Sequence, residues 1–261
     1  MPRVVVKKDN LDERNAEFEQ RALTQPVFLN SVPKSGTHLL KNIFRMFVPL
    51  EQHYNADFVQ IPNLARNMAA FDPAEPKLAW GHLLFADDSA AATAPARHLL
   101  LVRDPYDWVL ARARFFLSES FQAGLEALRS DRISVEQVLS MMIFGIHNKM
   151  PDMRDIFVFN AVAWLGPDVE LVRFEELKAA IADLESGASA SYFAKLLGCA
   201  EADLPADWRA RVRIGADRRS SGTARENLKA VAKDVPDVLP PAHQAMVELA
   251  VPGVRTMLGY A

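Results

Sequence analysis

Short apolar runs alternate with segments of helical periodicity along most of the chain. The runs are PVFLNSV at 26–32, KLAWGHL at 77–83, RHLLLVR at 97–103 and VELVRF at 169–174. Each is short, apolar and bounded by prolines or charged residues, which is typical of a buried strand. Strands that alternate with helices predict an α/β fold, here a three-layer αβα arrangement with a central parallel sheet.

The segments between these runs are predicted to be mostly helical. After the first run, apolar residues recur at helical spacing, at Leu39, Leu40, Ile43, Phe44 and Phe47. Further helices are expected near 108–115, 135–144 and 175–181, and in the Ala-rich last third. Residues 87–95 and 216–223 are predicted to be loops, because the first is small and polar and the second is basic and Ser/Gly-rich.

Composition and charge narrow the class of protein. The chain has 261 residues, 50% of them hydrophobic, which excludes a disordered or collagen-like chain. No composition shift marks a boundary, so one domain over 1–261 is predicted, with a polar lead-in over 1–25. A net charge of −3 argues against a nucleic-acid partner, because no global basic field is present.

The same composition bears on disulfides, membranes and compartment. The single cysteine, Cys199, excludes a disulfide framework and a multi-cysteine zinc site. No apolar run approaches the ~20 residues that a membrane span requires. The N-terminal segment has only three consecutive apolar residues, at 4–6, before charges resume, so no signal peptide is predicted. These features predict a protein of the reducing cytoplasm that has no membrane partner.

The first candidate for chemistry is PKSGTH at 33–38, between a predicted strand and a predicted helix. Unpaired N–H groups at the start of a helix bind oxyanions, and Gly36 permits a close backbone approach. Lys34 adds a positive charge, and Ser35 and Thr37 add hydroxyl donors. The segment lacks the upstream glycine of a Walker A loop. The alternative is a plain strand–turn–helix connection in which Thr37 caps the helix.

The second candidate is RDPYD at 103–107. Arg103 ends a predicted strand at its carboxyl edge, where α/β proteins bind ligands. A guanidinium there can hold a phosphate through two parallel hydrogen bonds. Pro105 stops the strand, and Asp107 could cap the next helix. The alternative is an ion pair of Arg103 with Asp104 or Asp107 that only ties the turn.

Together the two motifs resemble the sulfotransferases that use 3′-phosphoadenosine 5′-phosphosulfate (PAPS). Those enzymes bind the 5′-phosphosulfate with a strand-ending P-K-S-G-T loop and the 3′-phosphate with R-[DN]-P-x-D. Three weaker matches follow in the family's order: GHL at 81–83, LVRFEEL at 171–177 and RRSSGTARENL at 218–228. The resemblance spans roughly residues 27–228 and implies the P-loop-like sulfotransferase fold of the soluble, cytosolic type.

The resemblance implies a reaction and a set of site residues. A sulfuryl group would pass from PAPS to a hydroxyl or amine of a small-molecule or glycoside acceptor, leaving 3′,5′-ADP (PAP) and requiring no metal. His82 is the expected base and Lys34 the cation at the leaving oxygen, since imidazole titrates near neutrality. The expected cofactor contacts are Lys34, Ser35, Gly36, Thr37, His38, Arg103, Phe174, Arg218, Arg219 and Ser220.

Alternatives remain for the base and for the acceptor site. His82 could be a satisfied core or surface histidine, with His38 and His147 as rival bases. The candidates for lining the acceptor site are Phe85, Phe115, Phe116, Met141, Met142, Phe144 and His147. At helical spacing such residues are more often plain core.

The chain also departs from the family's pattern. Ala111 stands where the family has a serine that binds the 3′-phosphate, and Phe174 replaces a tyrosine near the adenine. Arg112 and Arg114 are nearby candidates for the missing contact, although a solvated helix face is the alternative. The late basic loop is one residue shorter. No segment clearly matches the family's dimerisation motif, so a homodimer remains open.

Two other functions remain open. A small-molecule or nucleotide kinase that uses ATP and Mg²⁺ would need a Walker A loop and an acidic residue at a strand end. Asp104 lies near the end of a predicted strand, as such a kinase would require, but the PKSGTH segment is not a Walker A loop. A nucleotide-binding protein without turnover could share the fold, although binding alone would not require the lysine and the histidine.

Overall fold

The structure is a computed structural model, and it describes residues 3–4, 9–118, 121–122, 124–166, 168–220 and 234–260. A four-stranded sheet lies at its centre. The strands of the described chain are β1 (Arg3–Val4), β2 (Val27–Ser31), β3 (Leu78–Gly81), β4 (Arg97–Val102), β5 (Phe121–Gln122) and β6 (Val169–Arg173). The order in the central sheet is β3-β2-β4-β6, and all its pairings are parallel. The short β1 and β5 pair antiparallel apart from this sheet.

Helices follow or separate the strands of the central sheet. They are α1 (Leu11–Asn15), α2 (Thr37–Arg45), α3 (Asp87–Thr93), α4 (Pro105–Leu117), α5 (Val135–Phe144), α6 (Met153–Asn160), α7 (Phe174–Ala182), α8 (Gly187–Leu197), α9 (Trp208–Ala216), α10 (Pro241–Ala250) and α11 (Val254–Met257). Segments of 3-10 helix lie at Leu50–Gln52, Ile61–Phe71, Glu126–Arg129, Val162–Trp164, Glu201–Asp203 and Arg218–Ser220, and the long Ile61–Phe71 segment is kinked at Asn67. No helix among the described residues is both long and apolar enough to cross a membrane.

Both faces of the sheet are covered, as the apolar strands require. Phe28 and Leu100 belong to the buried cluster on one face, together with residues of α4, α5 and α6. Leu29 and Leu99 belong to the cluster on the other face, together with residues of α2, α8 and α9. Successive strand side chains point to opposite faces, so each strand feeds both clusters. The predicted α/β class with a parallel sheet is confirmed.

One predicted loop is a helix. Residues 87–95 contain α3, because a run of alanines has the highest helix propensity and two aspartates occupy the first turn. The Ser89 hydroxyl accepts the N–H of Ala86 at 2.7 Å, which satisfies one donor at the helix start. Small, polar composition is thus compatible with a short helix as well as with a loop.

The helix that follows the PKSGTH segment packs closely against α9. A Cβ atom added at Gly215 would lie 2.6 Å from the Cα of Ile43 and 2.7 Å from the carbonyl oxygen of Asn42. These neighbours are backbone atoms of α2, which cannot move aside as a side chain can. Glycine at 215 therefore lets α9 support α2.

We expect Gly215→Ala to lower the free energy of unfolding by about 1–3 kcal/mol, because the added methyl group overpacks this contact. Urea unfolding followed by circular dichroism would measure the change. Gly187→Ala is the control, because no atom lies within 4 Å of a Cβ added there. Equal effects of the two substitutions would contradict the close contact between α9 and α2.

Candidate functional site

The residues of the candidate site follow the carboxyl ends of four neighbouring strands. Residues 33–36 follow β2, His82 follows β3, Arg103 follows β4 and Phe174 follows β6. Because all pairings are parallel, these four ends lie at one edge of the sheet. Ligands of open α/β sheets bind at this edge. The structure therefore brings together residues that are far apart in sequence.

The loop between β2 and α2 has an unusual backbone. Lys34 has φ of 73° and Gly36 has φ of 101°, both in the left-handed region. A Cβ at Gly36 would lie 2.5 Å from Cδ2 of Phe174, so only glycine fits beneath that ring. Thr37 is inside the first turn of α2, and its hydroxyl bonds to the Ser31 hydroxyl at 2.7 Å. Thr37 is therefore not the capping residue that the alternative interpretation requires.

Two side chains of α4 contact the loop between β2 and α2. The indole N–H of Trp108, which is fully buried, donates to the carbonyl oxygen of Pro33 at 2.6 Å. The Lys34 ammonium lies 3.0 Å from the centroid of the Phe115 ring. A cation over an aromatic face is stabilised by the ring's quadrupole. Phe115, a candidate for lining the acceptor site, is buried and contacts Lys34.

Two buried donor groups at this edge lack a partner within the described residues. Ser35 is fully buried, and its hydroxyl oxygen makes no hydrogen bond there. The Nε of Arg103 is also buried and unpaired. Buried polar groups in proteins are nearly always paired, so these two are suited to receive an anion. The residues present thus fit a phosphate-bearing cofactor.

Arg103 does not form the ion pair that the alternative interpretation requires. The Asp104 carboxylate instead pairs with Arg255, at 3.2 and 3.0 Å, and accepts the N–H of Tyr106 at 2.9 Å. The Arg103 guanidinium lies over the Phe174 ring at 4.7 Å. Burial lowers the pKa of Arg103, and the nearby Asp107 and Glu175 carboxylates partly offset this effect. Arg103 remains a cation with donors to offer.

His82 is held in one tautomer. Its Nδ1 lies 2.9 Å from the carbonyl oxygen of Ser31, which can only accept, so Nδ1 carries the proton. Nε2 is then the nitrogen that can take up a proton. Burial lowers the pKa of His82 to about 4, and the nearby Lys34 cation adds to this effect. The imidazole is therefore neutral at physiological pH, as a general base must be.

Other predicted cofactor contacts lie on α2 and on the turn that follows α9. His38 is exposed and packs against Trp80, with ring centroids 5.2 Å apart. Arg218 and Ser220 belong to a short 3-10 turn, in which Arg219 is exposed and pairs with Asp217 at 3.0 Å. The rest of the predicted basic loop, residues 221–228, lies outside the described residues.

The predictions for Arg112 and Arg114 are corrected. Arg112 is neither a phosphate ligand nor part of a solvated face, because it is buried and donates to the carbonyl oxygens of Met142 and Pro151 at 2.8 and 2.7 Å. Arg114 donates to the carbonyl oxygen of Pro236 at 2.7 Å, which ties α4 to a later segment.

The candidates for lining the acceptor site differ in how far their side chains are buried. Met142 is fully buried in the core, so the alternative interpretation holds for it. Phe85 and Phe144 are exposed.

Sequence analysis missed two polar residues of β2. Asn30 is fully buried, accepts the N–H of Leu83 at 2.9 Å and donates to its carbonyl oxygen at 3.1 Å. These bonds and the Ser31 carbonyl hold His82 on both sides. The available signal was the occurrence of two consecutive polar residues in an otherwise apolar strand, since buried polar groups need specific partners.

Comparison with known proteins identifies the fold. No protein-family model and no curated protein matches this sequence. Among solved structures, the chain is similar to mouse sulfotransferase SULT7A1, crystallised in complex with PAP, with a TM-score of 0.52 and 16% sequence identity. The match covers 98% of this chain and 95% of that chain. The chain thus has the sulfotransferase fold that the motifs predicted.

We expect Ser35→Ala to leave the free energy of unfolding unchanged or to raise it by up to about 1 kcal/mol, because the buried hydroxyl makes no bond that would be lost. Ser189→Ala is the matched control, since that buried hydroxyl donates to the carbonyl oxygen of Ala180 at 2.9 Å. Ser189→Ala should lower the free energy of unfolding by about 1 kcal/mol. Urea unfolding compares the two, and a larger loss for Ser35→Ala would show that its hydroxyl is already paired.

Proposed function

We propose that this chain transfers a sulfuryl group from PAPS to a hydroxyl or amine of a small-molecule or glycoside acceptor. The proposal depends on a row of residues at the carboxyl ends of three neighbouring strands. His82 follows β3, residues 33–36 (the Lys34 loop) follow β2, and Arg103 follows β4. This row combines a neutral base, a helix start with a lysine, and an arginine whose Nε has no partner among the described residues. The fold it shares with a PAP-bound sulfotransferase supports the same conclusion.

Each group of the row has a proposed partner on the nucleotide. The N–H groups at the start of α2, the Ser35 hydroxyl and Lys34 would hold the 5′-phosphosulfate. Arg103 would hold the 3′-phosphate through two parallel hydrogen bonds. The Phe174 ring, which lies between Gly36 and Arg103, would contact the purine.

The proposed chemistry follows from the charges of this row. Bound PAPS supplies a sulfuryl group on a phosphosulfate anhydride, whose leaving group is a phosphate. Lys34 would neutralise the negative charge that develops on the bridging oxygen. His82 would take the acceptor's proton at Nε2, while its Nδ1 stays bonded to the carbonyl oxygen of Ser31.

The kinase interpretation is less well supported. It requires Asp104 to hold Mg²⁺, but this carboxylate already pairs with Arg255 and caps α4. A protein that binds nucleotide without turnover would not require a fixed tautomer at His82. The polar residues of β2 that orient this histidine therefore favour an enzyme.

We expect Arg103→Ala to weaken 3′,5′-ADP binding by about 10–150-fold, because one charged hydrogen-bonded contact is lost. Binding of 5′-AMP should change by less than about threefold, since it lacks the 3′-phosphate. Isothermal titration calorimetry in a buffer that contains a metal chelator measures the affinity for each nucleotide. Arg66→Ala is the control, because that arginine is exposed and pairs with Asp57. Equal weakening of both nucleotides would place Arg103 away from the 3′-phosphate.

We expect His82→Ala to lower turnover by about 10²–10⁴-fold, the usual range for a positioned general base, and to leave 3′,5′-ADP affinity nearly unchanged. Lys34→Ala should impair both, because a phosphate-binding cation also acts in the ground state. The wild-type acidic limb of kcat/KM should lie near pH 4 instead of 6.5, since burial lowers the pKa of His82. Turnover of a folded His82→Ala protein within a few-fold of wild type would exclude this base.

A further inference from the structure

The segment 254–260 contacts the two strand ends that carry Arg103 and Phe174. The Arg255 guanidinium donates to both carboxylate oxygens of Asp104, at 3.2 and 3.0 Å. The Tyr260 hydroxyl donates to Oε2 of Glu175 at 2.8 Å. These residues are 151 and 85 positions apart in the chain, so the contacts depend on the tertiary fold.

Glu175 transmits the second contact to the arginine. Its other carboxylate oxygen, Oε1, accepts the backbone N–H of Asp104 at 3.2 Å. This N–H belongs to the peptide bond that joins Arg103 to Asp104. One carboxylate therefore connects the Tyr260 hydroxyl to the backbone of Arg103.

A third contact anchors the segment beside β6. The Nε of Arg173 donates to the carbonyl oxygen of Leu258 at 2.8 Å. A Cβ at Gly259 would lie 2.0 Å from Nη2 of Arg173, so only glycine lets the segment approach this closely. Gly259 also has φ of 80°, which few other residues adopt without strain. The segment is thus built to lie against the end of β6.

These bonds are of the kinds that hold a backbone in one position. The Arg255–Asp104 pair is bidentate, and both side chains are about four-fifths buried, at 20% and 19% exposed. Burial raises the pKa of Tyr260, and the Glu175 carboxylate adds to this, so the hydroxyl stays protonated and donates. The Nε of Arg103 has no partner of its own within the described residues. Its direction depends on the backbone at Asp104 and on the Phe174 ring.

We propose that Tyr260 and Arg255 are positioning residues, which fix the backbone at Asp104 so that Arg103 faces the 3′-phosphate. The inference rests on the proposed function. Loosening either contact should lower the preference for a nucleotide that has a 3′-phosphate, while binding at the Lys34 loop is retained.

The test replaces each contact conservatively. Tyr260→Phe removes only the hydroxyl, and Arg255→Lys keeps the charge but cannot form two parallel bonds. For each, we expect 3′,5′-ADP binding to weaken about 3–10-fold and 5′-AMP binding to change less than about twofold, as for loss of one hydrogen bond. Tyr54→Phe is the matched control, because its hydroxyl donates to Asn67 at 2.6 Å. This control should leave the affinity ratio of the two nucleotides unchanged.

Backbone hydrogen exchange provides a readout that needs no nucleotide. In the free protein, the Asp104 amide should exchange faster in Tyr260→Phe than in wild type or Tyr54→Phe, because Glu175 is then less constrained. Equal weakening of both nucleotides, or unchanged affinities with unchanged exchange, would overturn the positioning role. If the wild type binds 5′-AMP as well as 3′,5′-ADP, the proposed function fails first, and the selectivity argument fails with it.

Discussion

The parallel pairing of β2 with both β3 and β4 is the constraint on which the candidate site depends. Ser31 is in register with Leu101, and Asn30 is in register with Gly81, so the three strands end at nearly the same level. A one-residue change of register would turn the buried side chains of a strand to the opposite face. The apolar residues that fill both faces therefore also set the height of Lys34, His82 and Arg103 at the edge.

Polar groups inside the sheet then orient the residues at its edge. The Asn30 side chain bonds to the backbone of Leu83, directly after His82. The carbonyl oxygen of Ser31 accepts the Nδ1 proton of His82, which leaves this histidine in a single tautomer. A buried amide that loses such bonds costs about 1–3 kcal/mol, so this arrangement is strongly preferred over its alternatives. By contrast, Ser35 and Arg103 have buried donors without a partner in the described residues. Satisfied groups hold the geometry, and unsatisfied groups are available to a ligand.

The local sequence predicts the role of a residue well where that residue type has one physical consequence. It predicts the role poorly where the surroundings of the residue are set by distant parts of the chain. Gly36 was recognised because a turn that approaches another group closely needs glycine, and the Phe174 ring occupies the space of its Cβ. Arg112 was misjudged because an arginine on a helix is usually solvated. Its burial depends on the carbonyl oxygens of Met142 and Pro151, which are 30 and 39 residues away.

The sequence by itself determined the α/β class, the loop at 33–38 between a strand and a helix, and the candidate roles of Lys34 and Arg103, whereas the candidate role of His82 came from the resemblance to the sulfotransferases. Apolar runs, a glycine turn and charged strand ends are local patterns, and they act through local physical chemistry. Only the tertiary structure decided which residues orient that chemistry. The pairing of Arg255 with Asp104 and the bond from Tyr260 to Glu175 join distant parts of the chain. No local pattern specifies such contacts, because they form only after the sheet and its helices have packed.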